Sequence, residues 1–238
     1  MRFIRALRRP ASLTAFAGFQ FPAEVIVLAV RWCLRFGLSY RDVEELLAER
    51  GIEVDHVTIY RWVHRFTPLL ADAARPSRRR IGDRWYVDET SVKVGGRWRY
   101  VHRAVDQDGQ VIDVYVSVKR DTKAARAFFH RALAAAGAAP AEIVTDRAPV
   151  YPRLIAELFP TAWHHCEQYG NNRIEADHGQ LKRRLRPMRH LRNTRTAIVI
   201  IAGHAFIQNL RRGHYHLTAG VSAHLRLAAA FDELRPAI

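Results

Sequence analysis

The sequence predicts an α/β protein: a mixed sheet flanked by helices, preceded by a small all-α unit. Three observations carry this. Residues 22–67 place apolar side chains at helical spacing, and glycine interrupts the pattern at Gly37 and Gly51. Residues 84–119 change to runs rich in Val, Tyr and Trp, separated by Gly95-Gly96 and Asp108-Gly109, both hairpin turn signals. After them helical and extended patterns alternate, as in β-α units.

The first helix is "AEVIVLAVRWCLRF" (23–36), stopped by Gly37. The second, "SYRDVEELLAERG" (39–51), opens on Ser39 with Asp42 three residues on. This is a capping box with Asp in the usual Glu/Gln place. The third, "DHVTIYRWVHRF" (55–66), has Asp55 as N-cap and puts Ile59, Trp62, Val63 and Phe66 on one face. His56, Thr58, Arg61 and Arg65 are left on the outer side. Three short helices with a polar, basic last one describe a helix-turn-helix unit over residues 1–74, with those four side chains as candidate DNA contacts. A plain three-helix bundle with a solvated outer face is the alternative. "RPSRRR" (75–80) lacks apolar periodicity. It reads as a basic linker whose Arg78, Arg79 and Arg80 touch phosphate, or as a solvated charge run.

Residues 84–94, 97–106 and 111–119 then form an antiparallel meander. Residues 121–137 are a helix capped by Asp121 or Thr122 and closed by Gly137. Residues 141–146 are a short buried strand, and 149–159 a helix interrupted early by Pro152. "AWHHC" (162–166) is a fifth strand, and a long helix starts near Asn172. The order βββ-α-β-α-β-α gives a mixed sheet over residues 81–212. Residues 213–238 read as a C-terminal tail. "AIVIIAGHAF" (197–206) is too short to span a bilayer and reads as a buried helix or strand. Trp85, Trp98 and Trp163 are expected to fill the core.

With 238 residues, 49% of them hydrophobic, the chain can bury one substantial core and a satellite domain. A net charge of +15 points to a polyanionic partner. An anionic membrane surface fits less well, because no lipidation signal accompanies the charge. Cys33 and Cys166 lie far apart, which argues against a disulfide framework and fits a reducing cytoplasm. The apolar part of "MRFIRALRRPASLTAFAG" is broken by Arg5, Arg8, Arg9 and Pro10, so no secretory signal is expected. No Gly-rich phosphate loop supports ATP use. His164, His165 and Cys166 with His178 match no common zinc spacing. No Ser or Tyr is marked as a covalent recombinase nucleophile.

The basic stretch "NNRIEADHGQLKRRLRPMRH" (171–190) opens with two acids, Glu175 and Asp177. Asp88 lies midway along the first strand, and Asp146 at the C-terminal end of the fourth, before a loop. Catalytic groups favour such strand ends. If the fourth strand pairs beside the first, Asp88 and Asp146 become neighbours, and the last helix can lay Glu175 against both. Three carboxylates at one point repel each other, and divalent cations resolve that. Hard oxygen ligands suit Mg²⁺, with Mn²⁺ as substitute. Two such ions can hold the attacking and departing oxygens of a phosphodiester displacement. At about 100° per residue, Lys182 returns to the face of Glu175 after two turns, where it can bind a substrate phosphate beside Arg183 and Arg184. Asp177 points elsewhere and is outside the ligand set. Each acid also has an ordinary reading: Asp88 a strand-end hydrogen bond, with Glu89 an equally charged neighbour; Asp146 a turn residue; Glu175 a first-turn acid favouring the helix dipole.

"WYVDET", "VTDRAPVYP" and "NNRIEADHGQLKRRLRPM" resemble the signature blocks of bacterial insertion-sequence transposases of family six, within the DDE transposase/integrase class. The resemblance runs from about Phe21 to Gly213 and includes "LSYRDVEELLAERGIEVDHVTIYRWVHRF". It implies a ribonuclease-H-like catalytic core, with Asp88, Asp146 and Glu175 as the metal-binding triad and Lys182 as the basic residue that follows the Glu. It implies that Asn171 and Asn172 cap or orient the Glu helix. The Asp146–Glu175 interval, 175 − 146 = 29 residues, is shorter than usual in the wider class, so the intervening connection must be compact. The expected activity is binding of terminal inverted repeats, strand cleavage and strand transfer into target DNA, by a homodimer or larger assembly with two Mg²⁺. The alternatives are a nuclease of the same fold that does not join strands, and a non-enzymatic DNA-binding regulator.

Overall fold

The computed structural model describes residues 14–166, 172–188 and 191–238. The N-terminal stretch 1–13, Asn171 and the side chain of Asn172 lie outside the described residues.

The helical unit comprises α1 (Ala23–Arg35), α2 (Tyr40–Ala48) and α3 (His56–Ala74). The expected capping box closes α2: Asp42 N–H donates to Ser39 Oγ at 3.2 Å, and Ser39 N–H to Asp42 Oδ2 at 2.7 Å. Asp55 caps α3 by accepting from the N–H groups of Val57 and Thr58. The helix runs past Phe66 to Ala74 because its apolar face continues through Thr67, Leu70 and Ala74, all buried. Pro68 is exposed, so its ring and missing N–H fall on the solvent side.

The sheet contains β1 (Arg84–Val94), β2 (Arg97–Asp106), β3 (Val111–Ser117), β4 (Glu142–Thr145) and β5 (Trp163–Cys166). Their order is β3-β2-β1-β4-β5, antiparallel within the meander and parallel from β1 through β4 to β5. The tight β1–β2 turn needs its glycines: Gly95 and Gly96 both have positive φ, and a Cβ on Gly95 would lie 2.7 Å from the Arg192 carbonyl. Helices α4 (Thr122–Ala136) and α5 (Tyr151–Leu158) cover one face; α6 (Asn172–Leu185) and α7 (Thr194–Arg212) lie on the other. Strand alternation divides the core accordingly. Trp85, Val87, Ala104 and Ile112 pack with Phe128, Phe129 and Tyr151, whereas Val92, Val94, Val101 and Val105 pack with α6 and α7 residues.

The domain boundaries need two corrections. Residues 75–80 are not a free linker: Arg79 N–H donates to His214 O at 3.0 Å, and His216 N–H to Ser77 O at 2.6 Å. Residues 213–238 are not a loose tail, because α8 (Arg226–Leu234) buries Leu227, Ala230, Phe231 and Leu234. That i, i+3, i+4, i+7 pattern was readable in "RLAAAFDEL". α8 packs on α1, α3 and α7, and one continuous apolar core joins the helical unit to the sheet.

Gly203 marks where α7 meets α1 and α3. A Cβ there would sit 2.6 Å from Leu34 Cδ2 and 2.9 Å from Thr67 Cγ2. Gly203→Ala is expected to destabilise the protein in urea unfolding by about 1–3 kcal/mol of overpacking, offset by up to about 1 kcal/mol of helix propensity. A net gain in stability would refute the close contact.

Candidate active site

β4 pairs with β1 in parallel, with Thr145 opposite Val87. The next residues along the two strands are Asp88 and Asp146, so the strand ends set two carboxylates side by side. Asp146 Oδ1 accepts from Ala148 N–H at 3.1 Å, which fixes the turn after β4. Asp88 faces α6, where His178 Nδ1 lies 3.6 Å from its Oδ2. Burial pushes the Asp88 carboxyl up to about 7, and the negative charges of Asp146, Glu89 and Glu175 add to the rise against the Glu89 N–H bond. Glu175, in the first turn of α6, is exposed within electrostatic reach of Asp88. Among the described residues no three His, Cys, Asp or Glu side chains close into a metal cage. Asp146 and Glu175 both lie within electrostatic reach of Asp88, without the three meeting at one point.

Period-two alternation decides between the adjacent acids Asp88 and Glu89. Glu89 points to the α5 face, where it accepts from the Tyr151 hydroxyl and pairs with Arg120. It is therefore occupied by structural partners, and only Asp88 faces α6.

Asp177 explains how α6 is held. It is buried, paired with Arg103 of β2 and with Arg212 of α7, whose Nη2 donates to Asp177 Oδ1 at 2.6 Å. Arg103 sits directly across the ladder from Asp88 and is fully buried. Burial, then the charge of Arg212, pushes its guanidinium down to about 9. Asp177 is outside the ligand set, as expected, but this role was not; its signal is Arg103, a charge between Val101 and Val105 on the inward face of β2. His178 shares the α6 face of Glu175 and Lys182, as the helical spacing predicts, and faces Asp88. Burial, then the charges of Arg103 and Lys182, push it down to about 3, so it faces Asp88 as a neutral ring. Lys182 is exposed two turns beyond Glu175, as the helical spacing requires.

The expected DNA contacts divide. Arg61, Arg65, Arg79, Arg80 and Arg183 are exposed. His56 Nδ1 lies 3.1 Å from Glu44 Oε2, and Thr58 Oγ1 donates to Asp55 Oδ2 at 2.7 Å; both side chains are half-buried. Two expectations are corrected. Arg184 is 5% exposed and donates to the Cys33 and Leu34 carbonyls, so it satisfies the end of α1 instead of phosphate. Arg78 donates to Gln110 Oε1 at 2.8 Å and to the Val111 and Ile112 carbonyls at 2.5 and 3.1 Å. It anchors the linker to β3. Arg79 and Arg80 line a cavity of about 560 Å³ with Arg75, Arg131 and Asp113. Trp85 is buried as expected, but Trp98 and Trp163 are 54% and 70% exposed and do not fill the core.

A protein-family model described as a DDE domain, of the IS240 transposase type, matches residues 82–214. The transposase for insertion sequence-like element IS431mec of Staphylococcus aureus (strain Mu50 / ATCC 700699) is 37% identical over 168 residues, 68% of this chain and 75% of that protein. The chain belongs to the DDE transposases of insertion-sequence family six. The Staphylococcus aureus transposase for IS257 in transposon Tn4003 is 36% identical over the same length, with the same coverage. Among solved structures, the dimeric form of the HTLV-2 integrase catalytic core domain in complex with magnesium aligns with 62% of this chain and 97% of its own at 19% identity, TM-score 0.44. The transposase is thus a polynucleotidyl transferase with DDE chemistry. Its three-stranded meander is followed by two parallel strands. Among the described residues no helix is long and apolar enough to cross a membrane.

Proposed function

We propose that this transposase binds the terminal inverted repeats of its element through α3, cuts a strand at each end and joins the released 3′-hydroxyl to target DNA. The observation that carries the reading is the half-buried Asp88 carboxyl, set beside Asp146 by the β1–β4 pairing and within reach of Glu175. These side chains fit a hard divalent cation: the donors are all carboxylate oxygens, and a cation offsets the burial, and then the repulsion, that raise Asp88. Asp88, Asp146 and Glu175 would hold Mg²⁺ or Mn²⁺, two ions with DNA bound. When bound, the ions supply Lewis acidity to the attacking and departing oxygens of the scissile phosphate.

The chain's own groups do the rest. Asp177 locks the Glu175 helix against β2 and α7. Neutral His178 walls Asp88 without neutralising it. Lys182 and Arg183 bind flanking phosphates; Arg61 and Arg65 on α3, with Arg79 and Arg80, add backbone contacts. His56 and Thr58 face base edges once released from Glu44 and Asp55. No covalent enzyme–DNA intermediate forms. Two ends must meet, so the working form is a homodimer or larger assembly.

The test is an assay on paired end fragments with a target plasmid, with Mg²⁺, Mn²⁺ or chelator. Joined product that requires the cation is the expected result. Cleavage without joining would reassign the protein as a nuclease, and binding with neither reaction as a regulator.

A further inference from the structure

We propose that the uncovered part of the sheet beyond Glu89 is a platform for single-stranded DNA, with Trp98 as the stacking residue. β4 ends opposite Val87, so β1 runs on from Asp88 to Val94 with β2 as partner. Along this stretch Val92 and Val94 are buried against α7-side residues, while Ser91 and Lys93, on the alternate face, are exposed. Trp98 pairs with Lys93 across the ladder and shares that bare face, as does half-buried Tyr100 opposite Ser91. Lys93 Nζ lies 5.3 Å from the Trp98 ring centre, yet the side chain remains 54% exposed.

The charge suits a polyanion. Glu89, the acid on this face of β1, is taken up by Tyr151 and Arg120. Lys119 and Arg120 follow β3 at the same edge, both exposed. Arg120 lies within electrostatic reach of Asp146. The strip lies on the sheet face opposite Asp88 and reaches the catalytic edge by way of Arg120; along β1, Lys93 is five residues, about 17 Å of strand, beyond Asp88. A bare sheet face with an exposed aromatic among cations binds unpaired bases by stacking and their phosphates by charge. Duplex DNA hides its base faces and gains nothing from Trp98. The inference rests on the proposed reading that DNA strands are cut and joined at this edge.

The test uses the full chain in chelator, with a short oligothymidylate and a duplex of equal length, followed by fluorescence anisotropy. Trp98→Ala is expected to weaken single-strand binding by on the order of tenfold and duplex binding by less than about twofold, with Trp98→Phe retaining most of the affinity. Lys93→Gln weakens both through lost charge. Equal single-strand binding by wild type and Trp98→Ala overturns the proposal, as does an equal loss on both DNAs. A Trp98→Ala protein that dissociates to smaller species in sedimentation also overturns it, by making the face a protein interface. Binding in chelator needs no chemistry, so failure here leaves the triad standing, and failure of the triad leaves the platform standing.

Discussion

Asp88→Asn is expected to abolish cleavage and joining, by at least about a thousandfold, while end binding stays within about twofold. Losing a ligand removes several kcal/mol of transition-state charge stabilisation, at 1.4 kcal/mol per decade of rate. The fold should survive, because Asn keeps the shape and removes a carboxylate that burial and its neighbours already disfavour as a charge. In chelator the variant should unfold at the same temperature as wild type or higher. The rise in melting temperature on adding Mn²⁺ should disappear, since cation binding to the native state alone produces it. Glu89→Gln is the control one residue along. It weakens the Tyr151 and Arg120 contacts and costs about 1–3 kcal/mol of stability. If Glu89→Gln killed the chemistry and Asp88→Asn did not, the assignment by strand alternation would be reversed.

Asp177→Asn should have the largest effect on stability. Arg103 is 0% exposed, and its Nε and Nη2 have no partner among the described residues. Asp177 supplies the carboxylate it faces. Removing one partner of a buried pair leaves an uncompensated charge and costs about 3–5 kcal/mol, against a total near 5–15 kcal/mol. Arg212 would also lose its carboxylate while keeping its bond to Gly109 O. Urea unfolding at neutral pH measures the loss. The double substitution Asp177→Leu with Arg103→Met should recover most of it, since apolar replacement of a buried pair is often neutral or better. A near-wild-type Asp177→Asn midpoint would refute the role of this network.

Acid sensitivity supplies a further test away from the catalytic groups. Burial, then the charges of Arg103, Arg184, Arg212 and Arg211, push His204 down to about 2. Its folded value is below its unfolded one, so the unfolded chain binds the extra proton. Stability is then fully present above about pH 6.5 and falls by about 1.4 kcal/mol per unit below it. His204→Gln should reduce the slope of stability against pH by about one proton between pH 6.5 and 5. An unchanged slope would mean that the ring is not held neutral.

The sequence by itself determined what depends on local physics. Helical and alternating periodicity, Ser39 and Asp55 as caps, and Gly95-Gly96 as a turn placed the helical unit and the five strands nearly where they fall. The sequence left strand order open: Asp88 meets Asp146 only if the fourth strand pairs beside the first, and the tertiary pairing of Val87 with Thr145 supplies that. Tertiary structure alone decided which charges are free. Arg78, Arg183 and Arg184 look alike in a basic run, yet Arg183 is exposed while Arg78 and Arg184 are spent on backbone carbonyls. It also decided that Trp98 is bare and which helices the apolar face of residues 226–234 meets. Burial depends on which distant surfaces meet, and no short window of sequence carries that information.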